Sequence, residues 1–244
     1  MKFHNYREKK GIFITATDTD VGKTYISALL VKALISHGIR AGYYKPALSG
    51  AYKEKGHLIP GDAQFVCNTT GLSDAPSDLV SFMFEPAVSP HLAAQMEDTQ
   101  IDETIILQDY YKICKRYDFV VVEGCGGILC PLRAADQVQG NRAPPMLLPD
   151  IIRLLGLHII IVADAGLGTI NVTLLTVEYA KSHNISIEGI ILNRYESNNF
   201  LHRDNKKQIE TLSGLPVLAC VPSNALDLNL IEFSSYPFIG QNLL

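Results

Sequence analysis

The residues best equipped for chemistry stand early in the chain, in the stretch ITATDTDVGKT from Ile14 to Thr24. Its last three, Gly22, Lys23 and Thr24, have the ending of a phosphate-binding loop, GxxxxGK[ST]. The glycine that should open such a loop is absent. Thr17 stands five residues before Gly22 and Ala16 six before. The physical requirements are met all the same. The segment leaves an apolar, strand-like run and enters a helical one. The backbone amides of residues 20–24 can then point at phosphate oxygens, aided by the positive end of the helix. Gly22 allows close approach, Lys23 can neutralise β- and γ-phosphate charge, and Thr24 can ligate Mg²⁺. The competing reading is a helix capped by Asp20 with an incidental Gly-Lys. The strand–loop–helix context favours the phosphate site.

Further along, polar residues close other apolar runs. Lys45 follows AGYY, a position from which it could hold transferring phosphoryl oxygens or a carbamate. Glu123 follows FVVV and precedes Gly-Cys-Gly-Gly at 124–127, where a carboxylate is a suitable second metal ligand. The glycines are expected to keep space clear for a ligand. Asn193 and Arg194 close another run, and an Asn there could read an adenine edge with its amide. The stretch GLGTIN (166–171) opens a helix whose free amides suit a carboxylate. Spacing alone does not choose Asp62 over Asp74 or Asp78. Ser49-Gly50 reads as a turn. His91 and His158 read as helix-cap and strand-edge residues rather than bases, and Cys125 as a buried inert thiol.

These residues need elements that bring them together. Strands are expected over 11–17, 40–46, 118–124, 158–164, 187–193 and 216–222, where apolar, β-branched runs end in small or polar residues. Helices are expected over 22–37, 102–116, 147–155, 170–183 and 203–213. The alternation predicts an α/β fold, a mostly parallel sheet with helices on both faces, in one domain spanning 1–244. Ligands in such folds sit beyond the carboxyl ends of the strands. Thr17, Lys45, Glu123, Asp164 and Asn193 would then share one rim. The segment 130–150 carries four prolines and reads as a loop that orders with ligand or a partner subunit.

Composition narrows the function. Net charge is −4 and the sequence pI about 6.0, which argues against a nucleic-acid partner. The five cysteines (67, 114, 125, 130 and 220) form no CxxC pair and have no His cluster beside them, which argues against zinc, and their odd count in a chain this long argues for reduced thiols. The N-terminal MKFHNYREKK lacks the apolar core of a signal peptide. The longest apolar run is too short to span a bilayer. A soluble, cytoplasmic protein with no membrane partner is expected.

Taken together, TDTDVGKT (17–24), YKPALSG (44–50) and VVEGCGG (121–127) resemble the dethiobiotin synthetase family of the biotin pathway, within the P-loop NTPase superfamily. The likeness runs from about residue 11 to about residue 225. The family's loop begins with the glycine that Ala16 replaces here. The resemblance implies an ATP-dependent cyclo-ligase. It would convert 7,8-diaminononanoate, CO₂ and ATP into dethiobiotin, ADP and phosphate, through a carbamate and a carbamic–phosphoric anhydride. It implies Mg²⁺ as cofactor, held by Thr24, Asp62 and Glu123, with Lys45 and Lys23 catalytic. ATP contacts would fall on Asp20, Val21, Gly22, Lys23, Thr24, Tyr25, Asp62, Glu123, Gly124, Cys125, Gly126, Asn193, Arg194, Val221, Pro222 and Ser223. Substrate contacts would fall on Thr19 and Ser49. Gly168, Thr169, Ile170 and Asn171 would receive the substrate carboxylate across a homodimer interface. Two other readings share the fold. Partition or septum-positioning ATPases commonly carry an additional lysine early in the loop, which TATDTD lacks. Cobyrinate amidase-type ligases carry a glutaminase domain, for which 244 residues leave no room.

Overall fold

In the computed structural model, which describes residues 11–134 and 144–228, β1 (Gly11–Ala16) runs through the middle of the sheet and every one of its residues is buried. The strands beside it are β6 (Phe119–Glu123) and β9 (Ile159–Asp164), both parallel to it. These three are the most strongly β-branched runs of the chain. Covering them on both faces removes apolar surface from water at about 25 cal/mol per Å². The sheet extends through β2 (Ala41–Ser49) to β5 (Val80–Phe84) on one side. On the other it extends through β10 (Ile187–Asn193) to β11 (Val217–Val221). The full order is β11-β10-β9-β1-β6-β2-β5. All seven strands are parallel.

The order fixes where the helices lie, because crossovers between parallel strands are right-handed. The steps from β1 to β2 and from β2 to β5 move outward in one direction. Their helices, α1 (Lys23–Ser36) and α2 (Gly61–Thr70), cover one face and pack on each other. The return steps use α4 (Glu103–Cys114), α5 (Leu148–Leu155), α6 (Thr169–Ser182) and α7 (Phe200–Ser213), which cover the other. Two small antiparallel pairs decorate this frame, β3 with β4 (Tyr52–Glu54, His57–Ile59) and β7 with β8 (Pro131–Arg133, Met146–Leu147). A short helix, α3 (Pro90–Met96), follows β5.

The six expected strands and five expected helices are present, within a few residues of their ends. The strand β5, the helices α2 and α3, the two small antiparallel pairs and the single helical turn Pro76–Leu79 were not expected. Two expectations need correcting. Lys45 is not a strand end, because β2 continues to Ser49, so Ser49 closes a strand rather than sitting in a turn. Pro46, which has no N–H to give, falls just past the end of β6, where the sheet has no partner for it on that side. The 130–150 segment is partly ordered by the β7–β8 pair and α5, and its remainder, 135–143, lies outside the described residues. Among the described residues no helix is long and apolar enough to cross a membrane.

Candidate active site

The carboxyl ends of β1, β6 and β2 and the first turn of α2 surround a cleft of about 730 Å³. That size suits a nucleotide-scale ligand. Thr19, Asp20, Gly22, Lys23, Thr24, Tyr25, Lys45, Ser49, Asp62, Glu123, Cys125, Gly126 and Arg194 all line it, with Leu48 and Phe65.

Gly22 makes the turn from β1 into α1. Its φ is +97°, and a Cβ there would lie 2.1 Å from Asn193 Nδ2. The glycine is therefore required by a neighbour inside the protein as well as by an incoming phosphate. Asp20 does not cap α1: the cap position is Gly22, no side chain caps the helix, and its first turn carries no acid. The helix thus keeps its positive end and orphan amides directed at the cleft. The loop is braced from behind. Asn193 Nδ2 donates to Val21 O at 2.9 Å, and Arg194 donates to Asp20 O at 2.6 Å and to Asp164 Oδ2 at 2.7 Å. Asp20 and Arg194 both adopt positive φ (57° and 55°), held by this bracing.

Glu123 is the centre of the polar cluster and fully buried. The parallel register sets Tyr44 against Val122, so Lys45 lies beside Glu123. Lys45 Nζ is 2.7 Å from Glu123 Oε1 and 2.5 Å from Asp62 Oδ2. Thr24 Oγ1 donates to Glu123 Oε1 at 2.7 Å, and Tyr43 OH to Oε2 at 2.8 Å. Lys23 Nζ reaches back to Asp18 O at 3.1 Å. Burial lowers the pKa of Lys23, and the charge of Lys45 lowers it further against three nearby groups that oppose the shift. A bound triphosphate would relieve that repulsion. Burial opposes the charged form of Lys45, but Glu123 and Asp62 outweigh it and its pKa is raised. Burial likewise opposes the carboxylate of Asp62, yet Lys45 holds its pKa below the ordinary value.

Asp74, by contrast, is bound to Arg116 and Tyr117 away from the cleft, and Asp78 sits in a single helical turn before β5. Geometry thus singles out Asp62 where spacing could not. Thr24, Asp62 and Glu123 form an all-oxygen set of one hydroxyl and two carboxylates, which suits Mg²⁺ completed by phosphate oxygens and water. Among the described residues no group of three or more His, Cys, Asp or Glu is placed to hold a metal ion.

The glycines after Glu123 divide. Gly126 lines the cleft with φ 57°, but a Cβ on Gly124 would press on Leu148 and Phe13 at 2.8 and 2.9 Å, so Gly124 is an internal packing requirement. Cys125 is half-buried rather than buried: it lines the cleft with Sγ 3.9 Å from Cys130 Sγ. The Cys130 hydrogen bond, then Lys45 and Lys23, lower its pKa against burial.

Some expected residues lie apart. Val221 ends β11, and Pro222 and Ser223 follow it on the surface. The chain then crosses α1, where Tyr25 OH donates to Ala225 O. Gly168, Thr169, Ile170 and Asn171 begin α6 and are not among the cleft-lining residues. Their loop is pinned by Asn205 Nδ2, which donates to Ala165 O and Gly166 O, both at 2.9 Å. His91 lies in the first turn of α3 beside a separate cleft, and His158 precedes β9 and pairs with Glu188. Tyr43, Leu48 and Phe65 were missed by sequence reasoning. Only Tyr43 left a signal, its place two residues before Lys45 on the same strand face.

A glycine-lysine-threonine bend at the end of a central parallel strand, opposed by acids from neighbouring segments, defines a P-loop nucleotide-binding α/β protein. Comparison agrees. A family model described as an AAA domain matches residues 10–227. Solved structures of the MinC:MinD complex of Aquifex aeolicus (TM-score 0.52, 15% identity, 96% of this chain and 86% of that one) and a ParA family ATPase of Chlorobium tepidum (0.52, 16%, 89% and 86%) share the fold. Sequence relatives are far nearer. The ATP-dependent dethiobiotin synthetase of Clostridium botulinum Alaska E43 is 44% identical over 232 residues, 94% of this chain and 99% of the relative. That of Clostridium novyi is 45% identical over 212 residues, 87% of each. The chain belongs to the dethiobiotin synthetase family.

Proposed function

We propose that the cleft closes the ureido ring of dethiobiotin from 7,8-diaminononanoate, CO₂ and ATP. Family membership makes the chain an ATP-dependent ligase of biotin biosynthesis. The observation that carries the residue roles is the convergence of Lys23, Lys45, Thr24, Asp62 and Glu123 on one nucleotide-sized cleft. A substrate amine takes up CO₂ as a carbamate. A carbamate oxygen attacks the γ-phosphorus, ADP leaves, and a carbamic–phosphoric anhydride forms. The second amine attacks the carbonyl carbon and expels phosphate. Phosphoryl transfer of this kind needs positioning and charge neutralisation more than a protein nucleophile.

The α1 amides and Lys23 bind and orient the β- and γ-phosphates. Lys45 stands where it can steady the carbamate and the transferring oxygens. Thr24, Asp62 and Glu123 would hold Mg²⁺, which supplies charge neutralisation at the phosphates when bound. Lys45 now bridges the two carboxylates, so metal and nucleotide entry would free its ammonium toward substrate. Ser49 and Thr19 line the same cleft and are proposed substrate contacts. Asn193, Arg194, Tyr25 and the 221–223 segment are proposed for the nucleoside end. The α6 start, outside this cleft, is proposed to serve the neighbouring subunit of a homodimer. Phosphate release with ATP and Mg²⁺ should require both the diamine and bicarbonate. Release at full rate with either omitted rejects this reading.

A further inference from the structure

Glu123 receives a third hydrogen bond that none of the roles above assigns. Strand alternation puts Tyr43 and Lys45 on one face of β2, toward the face of β6 that carries Glu123. Lys45 and Thr24 both bind Oε1, whereas among the described residues Tyr43 OH alone binds Oε2, at 2.8 Å. Tyr43 is itself fully buried. Facing a carboxylate, which only accepts, the phenol donates. A carboxylate held at Oε2 by a buried ring keeps its Oε1 on the side shared with Thr24 and Lys45. Outer partners of this kind orient a metal ligand, and removing one typically costs ten- to a hundredfold in metal affinity.

We propose that Tyr43 is a positioning residue that fixes the Glu123 carboxylate for the magnesium–nucleotide complex. The proposal rests on Glu123 being a metal ligand, and the test separates the two. ADP affinity is measured by calorimetry with and without Mg²⁺ for the wild type, Tyr43→Phe and Glu123→Gln. Tyr43→Phe is expected to raise the Mg²⁺ concentration needed for tight ADP binding about tenfold or more, leaving metal-free ADP binding within about twofold. Combined with Glu123→Gln it should add little, because both changes act through one carboxylate. If Glu123→Gln alone leaves the Mg²⁺ dependence unchanged, the metal-ligand reading fails. If Glu123→Gln shifts it and Tyr43→Phe does not, or if Tyr43→Phe weakens metal-free and metal-bound ADP alike, the positioning role is overturned. Should Tyr43→Phe not fold, wild-type protein carrying ¹³Cζ-tyrosine gives the second measurement. Adding Mg²⁺ to the ADP complex should shift the Tyr43 resonance, and an unmoved resonance overturns the proposal.

Discussion

Replacing Lys45 with Gln tests how tightly catalysis and folding are tied together in this cleft. Lys45 is 3% exposed and bridges fully buried Glu123 at 2.7 Å and Asp62 at 2.5 Å. Removing one member of a buried ion pair costs about 3–5 kcal/mol, because the other charge is left uncompensated. Thr24 and Tyr43 still donate to Glu123, so the loss belongs near the lower end, about 3 kcal/mol. That is a large share of the ~5–15 kcal/mol total of a typical domain. Lys45→Gln should therefore fold but melt early, and turnover must be referred to its folded fraction. Urea unfolding near pH 7.5 gives the stability, and phosphate release gives the rate.

The acid limb supplies an internal check. The folded pKa of Asp62 is depressed, chiefly by Lys45 working against burial. Its contribution is present above its unfolded pKa and lost as pH falls through the lower folded value. Without Lys45 that part of the decline below about pH 4 should flatten. The Lys45 pKa is raised, so its own contribution persists up to its unfolded pKa of about 10.5 and fades only as pH climbs through the raised value. A Lys45→Gln protein within about 0.5 kcal/mol of wild type, with an unchanged acid limb, would refute the buried bridge.

Gly22→Ala should cost about 2–4 kcal/mol in urea unfolding, from the positive φ together with the broken Asn193–Val21 bond, and should weaken ATP binding. Adding Asn193→Ala removes the atom that the new Cβ would meet, so the double variant should lose less than the sum of the two single losses. Strict additivity would show that Asn193 does not constrain the turn.

Much of this was legible beforehand because the central strands are buried on both faces. Runs such as FVVVE and HIIIVAD announce themselves, and the polar residue closing each must face the ligand rim. The edge strand β5 was passed over, although VSFMF has the alternation of a half-buried strand; it is short and leads directly into Glu85-Pro86. Helix α2 was hidden because GDAQFVCNTT has little amphipathic pattern, and with it went the physical ground for choosing Asp62. Its nearness to Lys45 exists only once α2 packs on α1. The bracing of the loop by Asn193 and Arg194 was invisible for the same reason, since those residues lie some 170 positions away.

The most direct test of the central claim follows oxygen. If a carbamate oxygen attacks ATP in this cleft, then with ¹⁸O-labelled bicarbonate, and CO₂ kept from exchanging, each dethiobiotin formed should place one ¹⁸O in the released phosphate. Dethiobiotin produced with phosphate carrying only solvent or ATP oxygen would contradict the mechanism, and phosphate released without dethiobiotin would contradict the function.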